Sequence, residues 1–281
     1  VTDGASQRRR TPNTSRNRSG LTNYNGTLSL VPNYPPLRRY VFAVVDRWIA
    51  RHGLQGPFLE VGCGTGLLAA HLGARGWSGV ALDSSRAAAA LARERLVAFP
   101  GIACVEGDLA AVGGGEFRSV FMLDVLEHVS DDEALLGALA SRLAPGGCLV
   151  LLVPVNPPEW RADDELYGHY RRYGWEEIEM KLGRAGLAPV ERWNVTVPVM
   201  WLLRRLYLAF LRPGSASGSA PRDTLTAASS YFNPWDRSGP LRAAGALTAR
   251  AWWRPLFVLQ DLFARSRRGH AAMFLSRKPA A

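Results

Sequence analysis

The chain has 281 residues, is 47% hydrophobic and 21% charged, and carries a formal net charge of +10, which is uneven: residues 21–199 are net −4 and residues 200–281 are net +10. These values predict one globular domain with an elaboration, or two small domains, and they exclude a wholly membrane-embedded protein. No apolar run reaches the about 18 residues of a membrane-spanning helix, and three scattered cysteines are too few to predict a disulfide framework or a metal site.

The N-terminal region is predicted to contain little regular structure before its first helix. Residues 1–20 hold five Arg and one Asp and almost nothing apolar, which predicts a disordered basic tail. No apolar stretch that could act as a signal peptide is visible, so we expect a cytoplasmic protein with reduced thiols. Residues 21–56 are predicted to form a cap that includes a helix at 37–52, where apolar residues recur at helical spacing.

Strands and helices are predicted to alternate through the core, residues 57–199. The predicted strands lie at 57–62, 79–85, 102–108, within 117–129, and at 148–155 and 188–199, and the helices between them at 67–76, 86–99, 131–143 and 175–187. This alternation predicts a parallel sheet with helices on both faces. Residues 200–269 interrupt the pattern as an insertion, before a last strand at 271–278 within the C-terminal region 270–281.

A glycine-rich loop joins the first strand to the first core helix. In LEVGCGTG (59–66), Gly62, Gly64 and Gly66 allow a tight turn and a close approach of the backbone to a ligand. Glu60 lies at the end of the same strand, Asp83 at the tip of the second and Asp108 at the end of the third. A carboxylate in the position of Asp83 can chelate a ribose diol, so the loop predicts a cofactor site.

As a set, the segments LEVGCGTG, ALDSS, VEGDL, MLDVLEHV and LAPGGCLVLLVP resemble the class I S-adenosylmethionine-dependent methyltransferases over residues 57–199 and the last strand. The resemblance implies an α/β, Rossmann-like fold of seven mostly parallel strands with helices on both faces. Strand seven is antiparallel and lies between strands five and six, and the helical insertion falls between strands six and seven.

The resemblance also implies the cofactor S-adenosylmethionine and a role for each residue around it. The loop backbone would lie beside the methionine part, the second-strand carboxylate would bind the ribose, the third-strand end would flank the adenine, and the end of strand four would face the methyl-donor pocket. The residues implied are Glu60, Gly62, Cys63, Gly64, Gly66, Asp83, Ser84, Asp108, Leu109, Asp124 and Leu126.

The sequence VPVNPPEW (153–160) contains Asn156-Pro157-Pro158, which is similar to the Asn-Pro-Pro-aromatic signature of methyltransferases that act on amino groups. In those enzymes the signature follows strand four and its aromatic residue comes at once. Here the three residues follow strand five and Glu159 intervenes before the aromatic. We therefore interpret them as a rigid exit loop in which the prolines fix φ.

The next segment, DDELYGHYRRYGWEEIE (163–179), resembles a segment found in a bacterial subset of these enzymes, often proposed to act on lipid-like or sugar-bearing substrates. Arg171, Arg172 and Tyr173 are candidate substrate-binding residues, because two guanidinium groups can hold a phosphate or carboxylate. The alternative is that the acidic residues at 163–165 pair with these arginines and brace the loop.

Two histidines are candidate catalytic residues. His169 is a candidate general base, because an unperturbed imidazole titrates near neutral pH. His128, in LEHV, is the second candidate, although this position is commonly structural in the family. His52, His71 and His270 have no partner pattern and are expected at the surface.

The insertion contains two apolar, aromatic, Arg-bearing stretches, at 197–212 and 248–263, separated by a segment of linker composition at 214–223. Apolar helices with Arg and Trp at their margins are typical of segments that lie in a membrane interface, which predicts peripheral contact with the inner face of a membrane. A lid over a lipophilic substrate pocket and an ordinary packed pair of helices are the alternatives.

The leading functional hypothesis is an S-adenosylmethionine-dependent methyltransferase without a metal site. Its acceptor would be a hydroxyl, less readily an amine or carbon, of a small molecule that is lipophilic or linked to a lipid or sugar, as in natural-product biosynthesis. The runner-up is an RNA or DNA methyltransferase that tracks phosphates with its basic ends, but the core is acidic and nucleic acid is not the favoured partner. A binding protein without catalytic activity is the third hypothesis.

Overall fold

Seven strands form one sheet in the computed structural model, which describes residues 36–210 and 250–280. The strands are β1 (Phe58–Val61), β2 (Gly79–Asp83), β3 (Ile102–Glu106), β4 (Phe117–Leu123), β5 (Leu143–Pro154), β6 (Ala188–Asn194) and β7 (Ala271–Arg277). The predicted basic tail at 1–20, the rest of the cap up to residue 35 and residues 211–249 of the insertion lie outside the described residues.

The strand order is β3-β2-β1-β4-β5-β7-β6. Strands β1 to β5 pair in parallel, whereas β7 is antiparallel to both β5 and β6. The predicted Rossmann-like α/β fold is confirmed, including the position of β7 between β5 and β6. Strand β5 begins at Leu143 and not at 148 as predicted, because Leu143 pairs with Phe117 of β4 and the backbone N–H of Gly146 donates to the carbonyl of Lys278. The Pro-Gly-Gly sequence at 145–147, whose composition predicts a turn, therefore lies inside the strand.

Eight helices in the described ranges surround the sheet. They are α1 (Pro36–His52), α2 (Leu67–Gly73), α3 (Arg86–Leu96), α4 (Asp132–Arg142), α5 (Ala162–Leu166), α6 (Trp175–Arg184), α7 (Val199–Phe210) and α8 (Arg250–Leu262). Ser85 and Asp131 cap α3 and α4 by accepting backbone N–H groups of the first turn, which explains where these helices begin. The short helix α5 was not predicted; its first turn carries three acidic residues.

The core is centred on β4 and β5, whose side chains are buried on both faces of the sheet. Burial on both faces explains their nearly continuous apolar sequence. After β1 the chain crosses to β2 on one side of the sheet, and after β4 it crosses to β5 on the other side. A crevice therefore opens between the carboxyl ends of β1 and β4. The glycine loop and the segment after β4 meet there.

None of the helices in residues 36–210 and 250–280 combines the length and the hydropathy that crossing a bilayer requires.

Candidate active site

The glycine loop follows β1 and is held in a conformation that side chains disfavour. Gly62, Gly64 and Gly66 have φ values of 71°, 54° and 73°. A Cβ atom on Gly62 would lie 2.2 Å from Cγ2 of Val125, in the segment after β4. Glycine is therefore required at this position both by its positive φ and by the lack of space for a side chain.

Asp83, at the end of β2, holds the loop from the side. Its carboxylate is buried and accepts the backbone N–H of Gly64 at 2.7 Å and that of Ser85 at 2.8 Å. Burial raises the pKa of Asp83, and these two hydrogen bonds oppose the shift. A carboxylate has about four lone-pair positions, so the remaining two can accept ribose hydroxyls.

Glu60, the third residue of β1, is a buried carboxyl with an unsatisfied oxygen. It is 5% exposed, and Oε2 has no hydrogen-bond partner. Burial raises the pKa of Glu60 to about 8, against the opposing charge of Arg38. Burial likewise raises the pKa of the Cys63 thiol, so this cysteine is a packed side chain of the loop and not a nucleophile.

The raised pKa of Glu60 predicts a pH-dependent stability. A carboxyl whose folded pKa lies above its unfolded value contributes stability fully below about pH 4.5 and loses it as the pH rises through about 8. Relative to Glu60→Gln, which keeps the neutral shape, the protein should lose about 2–4 kcal/mol of unfolding free energy between pH 5 and pH 8. Urea denaturation of both proteins across this range measures the difference, and parallel curves would contradict it.

Three further predicted cofactor residues follow β2 and β3. Ser84 is exposed after β2. Asp108 is exposed after β3, and its side chain accepts the N–H of Ala110 at 3.0 Å. Leu109 is half-buried against the core. These positions leave the polar atoms of Asp108 and Ser84 open to solvent, and their roles beside a ribose and an adenine remain predictions.

Asp124 and Leu126, at the end of β4, differ in surroundings. Asp124 has a φ of 56°, and its carboxylate is 41% exposed and lies 3.5 Å from the guanidinium of Arg38 on α1. Leu126 is fully buried in the core and is the first residue of the short helical turn Leu126–His128. Asp124 therefore faces the crevice, whereas Leu126 supports it from below.

Both predicted catalytic histidines lie together beside Glu127. The rings of His128 and His169 are 4.8 Å apart in an edge arrangement, and Nε2 of His169 is 3.9 Å from Oε1 of Glu127. Burial, aided by the charge of Asp124, raises the pKa of Glu127, and its Oε2 has no partner. Burial and the neighbouring His169 lower the pKa of His128 to about 4, so this imidazole is neutral.

The same three side chains form a group that could hold a divalent cation. One ligand atom each from Glu127, His128 and His169 lies within 4.8 Å of the others, and no further group of this kind occurs in the described residues. The sequence predicts no metal here, and the arrangement equally suits acid–base chemistry at neutral pH.

The predicted substrate-binding residues all contact protein groups. Arg171 contacts Asp132 at 3.0 Å and also donates to the carbonyl of Ser130. Arg172 is 7% exposed and pairs with Asp164 at 2.7 Å. The hydroxyl of Tyr173 is buried and lies 2.9 Å from Asp132. These contacts favour the alternative in which the segment is braced by ion pairs, although with Asp132 and Asp164 as the main partners.

The exit loop after β5 uses its asparagine within the fold. The amide nitrogen of Asn156 donates to the carbonyls of Arg267 at 2.9 Å and Gly269 at 2.7 Å. Its φ of 60° turns the chain before the prolines. The side chain that would hold a target amino group thus binds the loop before β7, which supports the interpretation as an exit loop.

Sequence reasoning missed two residues near the histidines. His270 was expected at the surface but is 9% exposed, because the chain enters β7 there beneath Arg172, which donates to its carbonyl. Arg204, on α7, forms a paired contact with Asp163 and reaches Asp164 at 2.9 Å. The available signal was the acidic pair at 163–164, whose burial requires cations.

A cavity lies at a different place, along the sheet edge formed by β6. It has a volume of about 690 Å³ and lies between the end of α1, β6 and the segment after α8, where Arg51, Trp193 and Arg265 line it. None of its lining residues belongs to the glycine loop or the histidine cluster.

A family model described as a methyltransferase domain matches residues 37–192 of the chain, which is more than half of it. Two curated relatives are ubiquinone biosynthesis O-methyltransferases. The protein from Xanthomonas campestris is 38% identical over 112 residues, covering 38% of this chain and 47% of the relative. The protein from a Caulobacter species is 34% identical over 97 residues, covering 33% of this chain and 38% of the relative. The chain thus spans less than half the length of these relatives.

Two solved structures share the fold. The 4+2 cyclase SpnF aligns with a TM-score of 0.53 at 20% identity, over 85% of this chain and 81% of that one. A sarcosine dimethylglycine methyltransferase, described as putative, from Galdieria sulphuraria aligns with a TM-score of 0.53 at 14% identity, over 88% and 91%. At these identities the likeness shows the fold alone, and one of the two is named for a different reaction.

Proposed function

The chain belongs to the family of S-adenosylmethionine-dependent methyltransferase domains, and on this premise we propose that it methylates a hydroxyl group of a small, lipophilic or lipid- or sugar-linked molecule. The observation that carries the proposal is His169, whose Nδ1 is held by Asp164 at 2.8 Å while its Nε2 faces the cluster at the end of β4. An imidazole held in this way can accept the proton of a hydroxyl.

The cofactor-binding role falls to residues that fit it. S-adenosylmethionine would be held by the backbone of the glycine loop, by the two remaining lone pairs of Asp83 and by the buried carboxyl of Glu60. When bound, it supplies an electrophilic methyl group. The protein contributes placement of the acceptor, worth up to about 7–11 kcal/mol in favourable cases, and removal of one proton.

In this proposal His169 is the general base. Nε2 of His169 would accept the hydroxyl proton while the acceptor oxygen takes the methyl group that the sulfonium of S-adenosylmethionine would supply, so that the sulfur leaves as a neutral thioether. His128, with its lowered pKa, stays neutral beside it and does not compete for the proton. Asp124 and Arg38 form the polar edge of the same crevice.

The relatives support a hydroxyl acceptor over an amine or carbon, since both are named as O-methyltransferases of ubiquinone biosynthesis. The RNA or DNA alternative has less support, because the amide of Asn156 is engaged within the fold.

A methyl-transfer assay tests the proposal. Purified protein would be incubated with S-adenosylmethionine and extracts of cells that lack the gene, and products 14 daltons heavier would be sought by mass spectrometry. We expect methylated products in the lipid-soluble fraction, with the methyl group on a hydroxyl. Methylation confined to nucleic acid would favour the runner-up function.

We also propose that the insertion contacts an anionic membrane surface from which a lipophilic acceptor is drawn. Its two described helices and the turn after them expose apolar side chains: Leu202, Leu206, Leu256, Val258, Leu259, Leu262 and Phe263. Exposed arginines accompany them, including Arg254 and Arg265. An apolar face with basic margins fits a lipid interface that carries negative charge.

Liposome co-sedimentation checks the membrane contact. We expect binding to vesicles with anionic lipid, weakened by salt, and a large loss of binding in Leu262→Asp, because Leu262 is 75% exposed. The matched control is Val97→Asp at the end of α3, where Val97 is 80% exposed. Binding that is equally reduced by both substitutions, or absent from the intact protein, would contradict a contact through the insertion.

A further inference from the structure

We propose that Asp164 is a positioning residue that fixes the tautomer of His169, and that Arg204 of the insertion holds Asp164 in place for this role. The inference rests on the proposed function, in which His169 takes the proton of the acceptor. It assigns the insertion a direct part in arranging the catalytic base.

Each carboxylate oxygen of Asp164 has two donors. Oδ1 lies 2.8 Å from Nδ1 of His169 and 2.7 Å from a guanidinium nitrogen of Arg172. Oδ2 accepts the backbone N–H of Arg161 at 2.9 Å and a guanidinium N–H of Arg204 at 2.9 Å. The residue is 1% exposed, so these contacts occupy all four lone-pair positions without water.

The charge state of Asp164 decides the proton on His169. Burial raises the pKa of Asp164, but the hydrogen bonds from His169 and Arg172 outweigh it and hold the pKa well below its ordinary value. An ionised carboxylate can only accept, so the neutral imidazole of His169 must carry its proton on Nδ1. The lone pair is then on Nε2.

The groups around Nε2 are compatible with that lone pair. Glu127 lies 3.9 Å away, and the ring of His128 meets that of His169 at 4.8 Å between centres. Tyr167 packs on the ring at 5.9 Å. The 3.9 Å between Oε1 of Glu127 and Nε2 is longer than a hydrogen bond, so this carboxyl does not hold a proton on Nε2 in place of the one on Nδ1.

The contacts of Arg204 allow an experiment to distinguish two roles of Asp164, which are fixing the tautomer of His169 and stabilising the segment through ion pairs. It makes its shortest contacts with Asp163, through Nε at 2.7 Å and Nη2 at 2.6 Å. Asp163 is also buried, at 8% exposure, but no hydrogen bond or ion pair joins it to His169. Asp163→Asn therefore weakens the same ion-pair network without changing the partner of Nδ1, and it is the matched control for Asp164→Asn.

The experiment compares these two variants by the ring nitrogen signals of His169, by the pH profile of methyl transfer and by cofactor affinity. The amide of Asp164→Asn can donate to Nδ1 and move the proton to Nε2. We expect the Nδ1–H form in the intact protein and in Asp163→Asn, and the Nε2–H form in Asp164→Asn. Turnover near neutral pH should fall by about 10²–10⁴-fold in Asp164→Asn, and cofactor affinity should change little.

A second pair of variants addresses the insertion and covers the case in which Asp164→Asn does not fold. In Arg204→Gln we expect mixed tautomers of His169 and about tenfold lower turnover, with partial recovery in Arg204→Lys. Unchanged tautomers with equal losses of activity in the Asp163 and Asp164 variants would overturn the inference. The nitrogen signals do not depend on catalysis, so they decide it even if no hydroxyl acceptor is methylated.

Discussion

His169→Ala should lower the turnover of methyl transfer by about 10²–10⁴-fold, the usual contribution of a positioned general base. In the proposed function Nδ1 of His169 is held by the carboxylate of Asp164 at 2.8 Å, and Nε2 is left to accept a proton. Steady-state kinetics with the identified acceptor measures the loss. Because His169 lies after the exit loop and not in the glycine loop, the affinity for S-adenosylmethionine should change little.

The matched control for this prediction is Asn156→Ala. Asn156 lies in the same exit region but donates its amide to the loop before β7. We expect it to lose some stability and to keep most of its activity. If Asn156→Ala were inactive and His169→Ala active, His169 would not be the general base. Asn156 would then be the residue that binds the acceptor, as in the methyltransferases that act on amino groups.

Asp83→Ala should weaken the binding of S-adenosylmethionine tenfold or more. Hydrogen bonds to a charged group contribute about 1.5–3 kcal/mol each, and each 1.4 kcal/mol corresponds to a factor of about ten in affinity. The substitution also leaves the N–H groups of Gly64 and Ser85 without their carboxylate partner. The free energy of unfolding should therefore fall by about 1–3 kcal/mol for each N–H that stays unsatisfied.

Calorimetric titration with the cofactor, together with urea denaturation, separates the two effects of Asp83→Ala. Asp108→Ala is the control, because Asp108 is exposed and its side chain accepts only a local N–H. It should alter stability little and reduce affinity less. A folded Asp83→Ala protein that binds the cofactor as tightly as the intact protein would remove Asp83 from the ribose site.

The sequence by itself determined the fold and the place of the glycine loop after β1. Strand and helix periodicity are local patterns, and so is the requirement for glycine where φ is positive, as at Gly62 and Gly66. The antiparallel β7 between β5 and β6 followed from the family resemblance and is confirmed. The boundaries were less well determined: β5 begins at Leu143, which pairs with Phe117 of β4, and Gly146 and Gly147 form backbone hydrogen bonds with Lys278 just after β7. No local signal marks these pairings.

Only the tertiary structure decided how the charges near the catalytic histidines are paired. Arg172 could have bound a substrate anion, but packing encloses it beside Asp164 at 7% exposure. Arg204 meets Asp163 across 41 residues of sequence, and His270 is buried where β7 enters the sheet. A short segment shows which side chains are ionisable but not which ones fold against each other. Each buried charge needs a partner, because an unpaired charge in the interior costs a large part of the small free energy of unfolding that keeps a protein folded.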